Sequence, residues 1–186
     1  APHLDTAFTA WASVLWGTEN YTEWECSVST NAIDNQKIWA GLKLTNDQLV
    51  ATDDNQAFFK FQTDATNSEA FTDFTLLHFV HSIAGTDYIS ALPITVAANT
   101  TYHLKVVIDS DRKATIFVNG QQYNVTGTAG STGGTAVTAV AEGATVTKTA
   151  ALTDNVDFIP YIGIEAGAAA AEALDVHYQA INRIIF

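Results

Sequence analysis

Glu23 and Glu25 flank Trp24, and on an extended strand, where successive side chains point to opposite faces, the two carboxylates share one face. A pair of carboxylates displayed in this way is the arrangement that hydrolyses glycosidic bonds, one serving as acid and the other as base or nucleophile. Cys26, Ser27 and Val28 follow, with no third carboxylate, so the expected role is a solvated outer face with Trp24, Cys26 and Val28 turned inward. Two other clusters have the oxygen chemistry that a hard cation wants, Asp53-Asp54-Asn55 and the pair Asp109 and Asp111. Arg112 and Lys113 oppose a cation at the second, and Asp and Asn are also ordinary turn formers. Calcium at the Asp53 cluster is the one cofactor left open, and no other is expected.

Four of the five histidines and the four tryptophans complete the set. His78 and His81 are three apart on an expected strand, so they point to opposite faces and cannot share a metal. His103 and His177 read as isolated, outward-facing positions. Trp11, Trp16, Trp24 and Trp39 would stack on sugar rings if exposed, but aromatics at strand spacing usually belong to a core. Cys26 is the only cysteine, which forbids an internal disulfide, and no nucleophile motif or phosphate loop surrounds any residue. No catalytic, cofactor-binding or metal residue is therefore assigned, and the chain is expected not to be an enzyme.

The elements that would position these residues are strands. From Tyr102 to Ile108 the apolar residues Tyr102, Leu104, Val106 and Ile108 alternate with His103, Lys105 and Val107, the period of a half-buried strand. Asp109 to Lys113 is a polar turn. Ala114, Ile116 and Val118 face the core of a second strand, and Asn119-Gly120 supplies the two positive-φ residues of a type I′ hairpin. That turn sets Val118 opposite Gln121, Ile116 opposite Tyr123 and Ala114 opposite Val125, while the five-residue turn sets Ile108 opposite Ala114 and Leu104 opposite Val118. Further strands are expected at 8–15, 21–29, 38–44, 58–61, 74–80, 158–165 and 174–185. The alanine-rich stretch from Glu165 to Leu174 has no amphipathic stripe and reads as a small-residue turn.

The whole is expected to be one all-β domain, 1–186, an antiparallel two-sheet jelly-roll sandwich. The Gly, Ala and Thr-rich segment at about 127–149, without aromatics, reads as an inserted loop or extended hairpin. Hydrophobic residues make up 47% and charged residues 15%, a composition that folds. The net charge of −12, with eight Lys and Arg scattered singly, gives no basis for binding nucleic acid or an anionic membrane surface. No apolar run approaches the roughly 20 residues of a spanning helix. The sequons at Asn20, Asn99 and Asn124 read as chance, and the absence of methionine with numbering from Ala1 reads as an initiator removed or a processed or truncated product.

Several stretches carry a family likeness: Asn99-Thr-Thr-Tyr102-His-Leu104, Ile108-Asp-Ser-Asp-Arg-Lys-Ala114, Asn119-Gly120, Ile159-Pro-Tyr-Ile-Gly-Ile-Glu-Ala166 and Trp39-Ala-Gly-Leu-Lys-Leu44. Together they resemble a concanavalin A-like, laminin G-like jelly-roll module of tailed-bacteriophage virion proteins. The resemblance implies a non-enzymatic structural protein in the virion, a capsid decoration, head fibre or tail-fibre component. It further implies docking on capsid or tail proteins as a homo-oligomer, of which a trimer is one form. The alternative it leaves open is a lectin-like module for host surface glycans, and beyond that a glycoside hydrolase using Glu23 and Glu25.

Overall fold

The computed structural model describes residues 3–5, 16–18, 21–44, 54–63, 71, 73–130, 133–148, 150–166 and 172–183. Its strands are β1 (His3–Asp5), β2 (Trp16–Gly17), β3 (Thr22–Thr30), β4 (Gln36–Lys43), β5 (Gln56–Gln62), β6 (Leu76–Ile83) and β7 (Thr86–Thr95). They continue as β8 (Tyr102–Ile108), β9 (Ala114–Val118), β10 (Gln121–Tyr123), β11 (Thr135–Ala136), β12 (Asp157–Ala166) and β13 (Leu174–Arg183). The larger sheet runs β1-β12-β4-β5-β6-β7-β11, with β2 also on β12, and the smaller runs β10-β9-β8-β3-β13. Every pairing is antiparallel except that of β11 with β7. This is the all-β jelly-roll sandwich expected from the strand pattern.

The meander forms as its turn chemistry dictates. Asn119 and Gly120 both take positive φ, 51° and 79°, the type I′ geometry whose twist matches the flanking strands. Val118 pairs Gln121, Ile116 pairs Tyr123, Ile108 pairs Ala114 and Leu104 pairs Val118. The expected pair Ala114 and Val125 does not form. β10 stops at Tyr123, and the Val125 amide donates instead to the Thr147 carbonyl at 3.0 Å.

Between the sheets lies a core to which Trp24, Phe59, Phe79, Leu104, Ile116 and Phe158 contribute. Burying such side chains stabilises by roughly 1.5–3 kcal/mol each, relative to exposure. Strand β7 carries no expectation from the sequence because both of its faces are covered along Ser90 to Leu92, which erases the alternation that marks a half-buried strand. The stretch expected at 8–15 lies outside the described residues. Glu165 and Ala166 end β12, and residues 167–171 also lie outside.

The segment after Val125 lies along the open side of the sandwich. Thr135 and Ala136 pair with Ser90 and Ala91 on the larger sheet, while Tyr123 and Ala139 form a bridge at the edge of the smaller one. The Gly130 amide donates to the Asp87 carbonyl at 2.9 Å, and the Thr126 amide to Ser90 Oγ at 2.9 Å. This run of chain thus covers one edge of each sheet, satisfying groups that would otherwise be unpaired.

Candidate functional site

The outer face of the larger sheet, turned away from the main core, is where polar and aromatic side chains are packed together. Register fixes the arrangement. One cross-strand row is Gly163, Trp39, Lys60, His78 and Ala91, on β12, β4, β5, β6 and β7. Beside it run Tyr161, Gly41, Phe58, Val80 and Ile89, and then Ile159, Lys43, Gln56, Ser82 and Asp87. Neighbours within a row are directly opposite each other, with Cβ atoms about 4.5–5.5 Å apart. Trp39, Phe58, Phe71, Val80, Ile89 and Tyr161 make a second apolar cluster on this face, separate from the main core.

Two buried ionisable groups sit opposite each other in the first row. Lys60 is 2% exposed and His78 is 0% exposed. Burial lowers the Lys60 pKa to about 7, helped by the nearby Lys37 cation. Burial likewise lowers His78 to about 4. The neutral imidazole donates from Nδ1 to the Leu76 carbonyl at 3.0 Å, which fixes the tautomer and leaves Nε2 as a lone-pair acceptor. Nε2 has no hydrogen-bond partner among the described residues, and neither has the buried Trp39 Nε1 donor. Phe71 stacks on the His78 ring at 3.9 Å and 4°, and its ring centre lies 5.5 Å from Lys60 Nζ.

Flanking groups continue the polar face. Lys43 is fully buried with Nζ 4.4 Å from the centre of the Tyr161 ring, a cation–π contact. The Tyr161 ring lies back over Gly163, where a Cβ would meet its hydroxyl oxygen at 2.9 Å. Gln56 Nε2 donates to Ser82 Oγ at 2.8 Å, and Ser82 in turn donates to Asp87. Lys37 pairs with Glu165 at 3.1 Å. Three of the protein's eight cationic side chains, Lys37, Lys43 and Lys60, therefore occupy one face of two adjacent strands in a chain of net charge −12.

Most residues singled out in the sequence lie elsewhere. Glu23 and Glu25 are together on the outer face of the smaller sheet, with Trp24, Cys26 and Val28 buried beneath, as strand alternation requires. Glu23 pairs with Lys105. The buried Cys26 thiol has its pKa pushed up by burial and by Glu25, which leaves it unreactive. Asp109 caps its own turn, accepting from the Asp111 and Lys113 amides at 2.9 Å each, and pairs with Lys148. Asp53 lies outside the described residues. Asn55 Oδ1 accepts from the Ala84 amide at 3.2 Å and from Thr153 Oγ1. No cluster of His, Cys, Asp or Glu among the described residues has the geometry of a metal site.

His78 and His81 do face opposite ways: His81 packs inward between Phe79 and Tyr88. Trp11 lies outside the described residues, Trp24 is core, and Trp39 belongs to the outer face. Lys43, Lys60 and Tyr161 are absent from the residues that the sequence picks out. A signal was present in β5, where Gln56, Lys60 and Gln62 alternate with the core residues Ala57, Phe59 and Phe61. That pattern looks like an ordinary solvated face until burial of both faces is known.

No protein-family model matches this sequence, and no curated protein matches it. Solved structures do match the fold. A family 7 alginate lyase in complex with its product superposes with a TM-score of 0.57 at 13% identity, covering 97% of this chain and 70% of that one. An alginate lyase from Alteromonas sp. 272 gives 0.51 at 13%, covering 89% and 72%. A polysaccharide lyase of family 18 gives 0.51 at 14%, covering 89% and 73%. The chain has the concanavalin A-like jelly-roll fold. The expectation of a non-enzymatic chain is corrected by these neighbours, because the architecture that this chain adopts is one that carries polysaccharide lyases. The virion role gains no support from them, and the similarity runs toward proteins that act on polysaccharides.

Proposed function

We propose that this chain binds an acidic polysaccharide across the outer face of its larger sheet and cleaves it by β-elimination, with Lys60 and His78 as the working pair. The observation that carries the reading is their direct opposition in one row, buried beside Trp39, with His78 Nε2 an acceptor that has no partner among the described residues. Lys37, Lys43 and Lys60 gather on this face of an otherwise acidic protein, and although Glu165 pairs with Lys37, this concentration of cationic groups favours a polyanion. The alginate lyase neighbours support the same substrate class.

The chemistry follows from the two protonation states. The Lys60 ammonium faces the uronate carboxylate, whose negative charge raises the lysine pKa from about 7 and holds it charged. Neutralising the carboxylate acidifies the adjacent C–H. His78 Nε2 takes that proton, the electron pair forms a carbon–carbon double bond to the next ring carbon, and the glycosidic C–O bond at that carbon breaks. The departing oxygen receives the proton back from His78, so one residue serves as base and then acid. Phe71 occupies the place above the pair that a sugar ring would take.

The test is incubation with alginate and with other polyuronates, following the ultraviolet absorbance of the unsaturated product. Cleavage by the wild type, lost by 10²-fold or more in His78→Asn while retention on alginate gels persists, is the expected result. Retention without any cleavage by the wild type would replace the enzyme with a binding module, and neither retention nor cleavage would sink the reading.

A further inference from the structure

The outer face of the smaller sheet carries a second, differently built depression of about 290 Å³, lined by Glu25, His103, Lys105, Phe117, Gly120 and Tyr178. Its strand residues come from four adjacent strands in register. Glu25, Lys105 and Phe117 form one row across β3, β8 and β9, while Tyr178, Ser27 and His103 form the next across β13, β3 and β8. The two rings at one side, His103 and Tyr178, have centres 6.3 Å apart.

Tyr178 reaches this face through a break in its strand. Leu174 and Val176 pack against the core, and unbroken alternation would send Tyr178 inward after them. A β-bulge between Val176 and Tyr178 inserts His177 as an extra residue and reverses the phase. Tyr178 emerges opposite Ser27, 41% exposed, one of the most exposed large side chains described. Bulges that re-aim one side chain in this way are concentrated beside functional sites. A solvent-facing aromatic ring held at the mouth of a depression is costly as mere surface, and useful as a platform.

The polar groups decide the ligand. Burial raises the Tyr178 pKa and the nearby Glu25 charge adds to it, so the phenol keeps its proton beside that carboxylate. Lys105 is engaged by Glu23. The depression therefore sets one carboxylate, Glu25, and a lysine already paired with Glu23 beside aromatic rings, a lining that does not favour an anion. That combination suits the C–H face and the hydroxyl groups of an uncharged pyranose, and it is opposite in charge to the lysine-bearing face of the larger sheet.

We infer that the Tyr178, Phe117, His103 and Glu25 depression is a second carbohydrate site, selective for neutral glycosyl units and independent of the Lys60 and His78 face. The test is affinity electrophoresis in gels cast with galactomannan, xyloglucan or mixed-linkage β-glucan, using the intact chain with Tyr178→Ala, Glu25→Gln and Lys60→Met variants. Equal thermal midpoints for Tyr178→Ala and wild type verify the fold. Retardation of the wild type in at least one neutral gel is expected, weakened roughly tenfold by Tyr178→Ala. Lys60→Met should be retarded as the wild type is. No retardation in any neutral gel, retardation indifferent to Tyr178→Ala and Glu25→Gln, or retardation abolished by Lys60→Met would each overturn the inference. None of these outcomes depends on whether alginate is cleaved.

Discussion

Lys60 on β5 and His78 on β6 are directly opposite in register, and burial drives both away from their charged forms. The two groups lose their charge at different pH, His78 above about 4 and Lys60 above about 7. A base that must be neutral and a counter-ion that must be charged coexist only between those values. The pH profile of kcat/KM on alginate should therefore be a bell with limbs near 4 and near 7. Lys60→Arg, which stays charged, should remove the alkaline limb and leave the acid one in place. An alkaline limb that survives in Lys60→Arg would assign it to another group.

The same burial makes acid unfold the protein. His78 has a folded pKa of about 4 against 6.5 when unfolded, so between these values the unfolded chain binds more protons and stability falls as pH falls. Applied at pH 5, the two values give a loss of about 2 kcal/mol relative to pH 7 from this residue. His81, lowered to about 3 by burial alone, contributes in the same direction. Urea midpoints at the two pH values should differ in wild type, and the difference should shrink in His78→Asn.

Lys60 acts at the other end of the scale. Its pKa falls from 10.5 to about 7 on folding, so from about 7 to about 10.5 the unfolded chain again holds more protons, and stability rises with pH. Lys60→Met removes both the buried amine and that dependence. The variant should be more stable than wild type at neutral pH and show a flatter profile above it, while cleaving alginate at least 10²-fold more slowly. Denaturation curves at neutral and alkaline pH check the first part, and the ultraviolet assay checks the second.

Phe71 offers a gain of function. Its ring covers His78 in parallel at 3.9 Å, and in the proposed mechanism it would have to yield its place to a sugar ring. Truncation in Phe71→Ala opens that place and should lower the KM for alginate several-fold, while costing about 3–5 kcal/mol of stability, because the residue is 3% exposed. A raised KM with unchanged stability would mean that the ring binds substrate where it stands.

How far the sequence reaches differs between the two sheets. In the smaller sheet each strand has one solvated face, so alternation, the Asn119-Gly120 turn and the register from Ile108 to Tyr123 agree with one another and with the structure. Glu23 and Glu25 come out on the solvent side for the same reason. Yet Tyr178 does not follow the rule, because a bulge is one inserted residue and leaves no mark in composition. In the larger sheet both faces are covered, and alternation then says nothing about which side is core. Lys60 among Phe58, Phe59 and Phe61 reads as a strand with one outward cation. The groups that cover it include Phe71, whose ring centre lies 5.5 Å from Lys60 Nζ and which belongs to no strand.

Gly163 sets the position of Tyr161. The ring folds back along β12 over this residue, and a Cβ there would meet Cε1 and the hydroxyl oxygen at 2.9 Å and Cζ at 3.1 Å. The ring end cannot drift freely, since Lys43 lies 4.4 Å from its centre and the ring belongs to the cluster with Trp39 and Phe58. Gly163→Ala should therefore cost about 1–3 kcal/mol, the usual price of overpacking a fitted site. Backbone conformation is an insufficient cause, because the left-handed region is not used at this residue. In a Tyr161→Ala background the added methyl meets empty space and should cost little. A double-mutant cycle by urea denaturation separates the two, with a coupling of at least 1 kcal/mol expected. Near-zero coupling would show that residue 163 and the Tyr161 ring act independently, and that the ring is held by the Lys43 side alone.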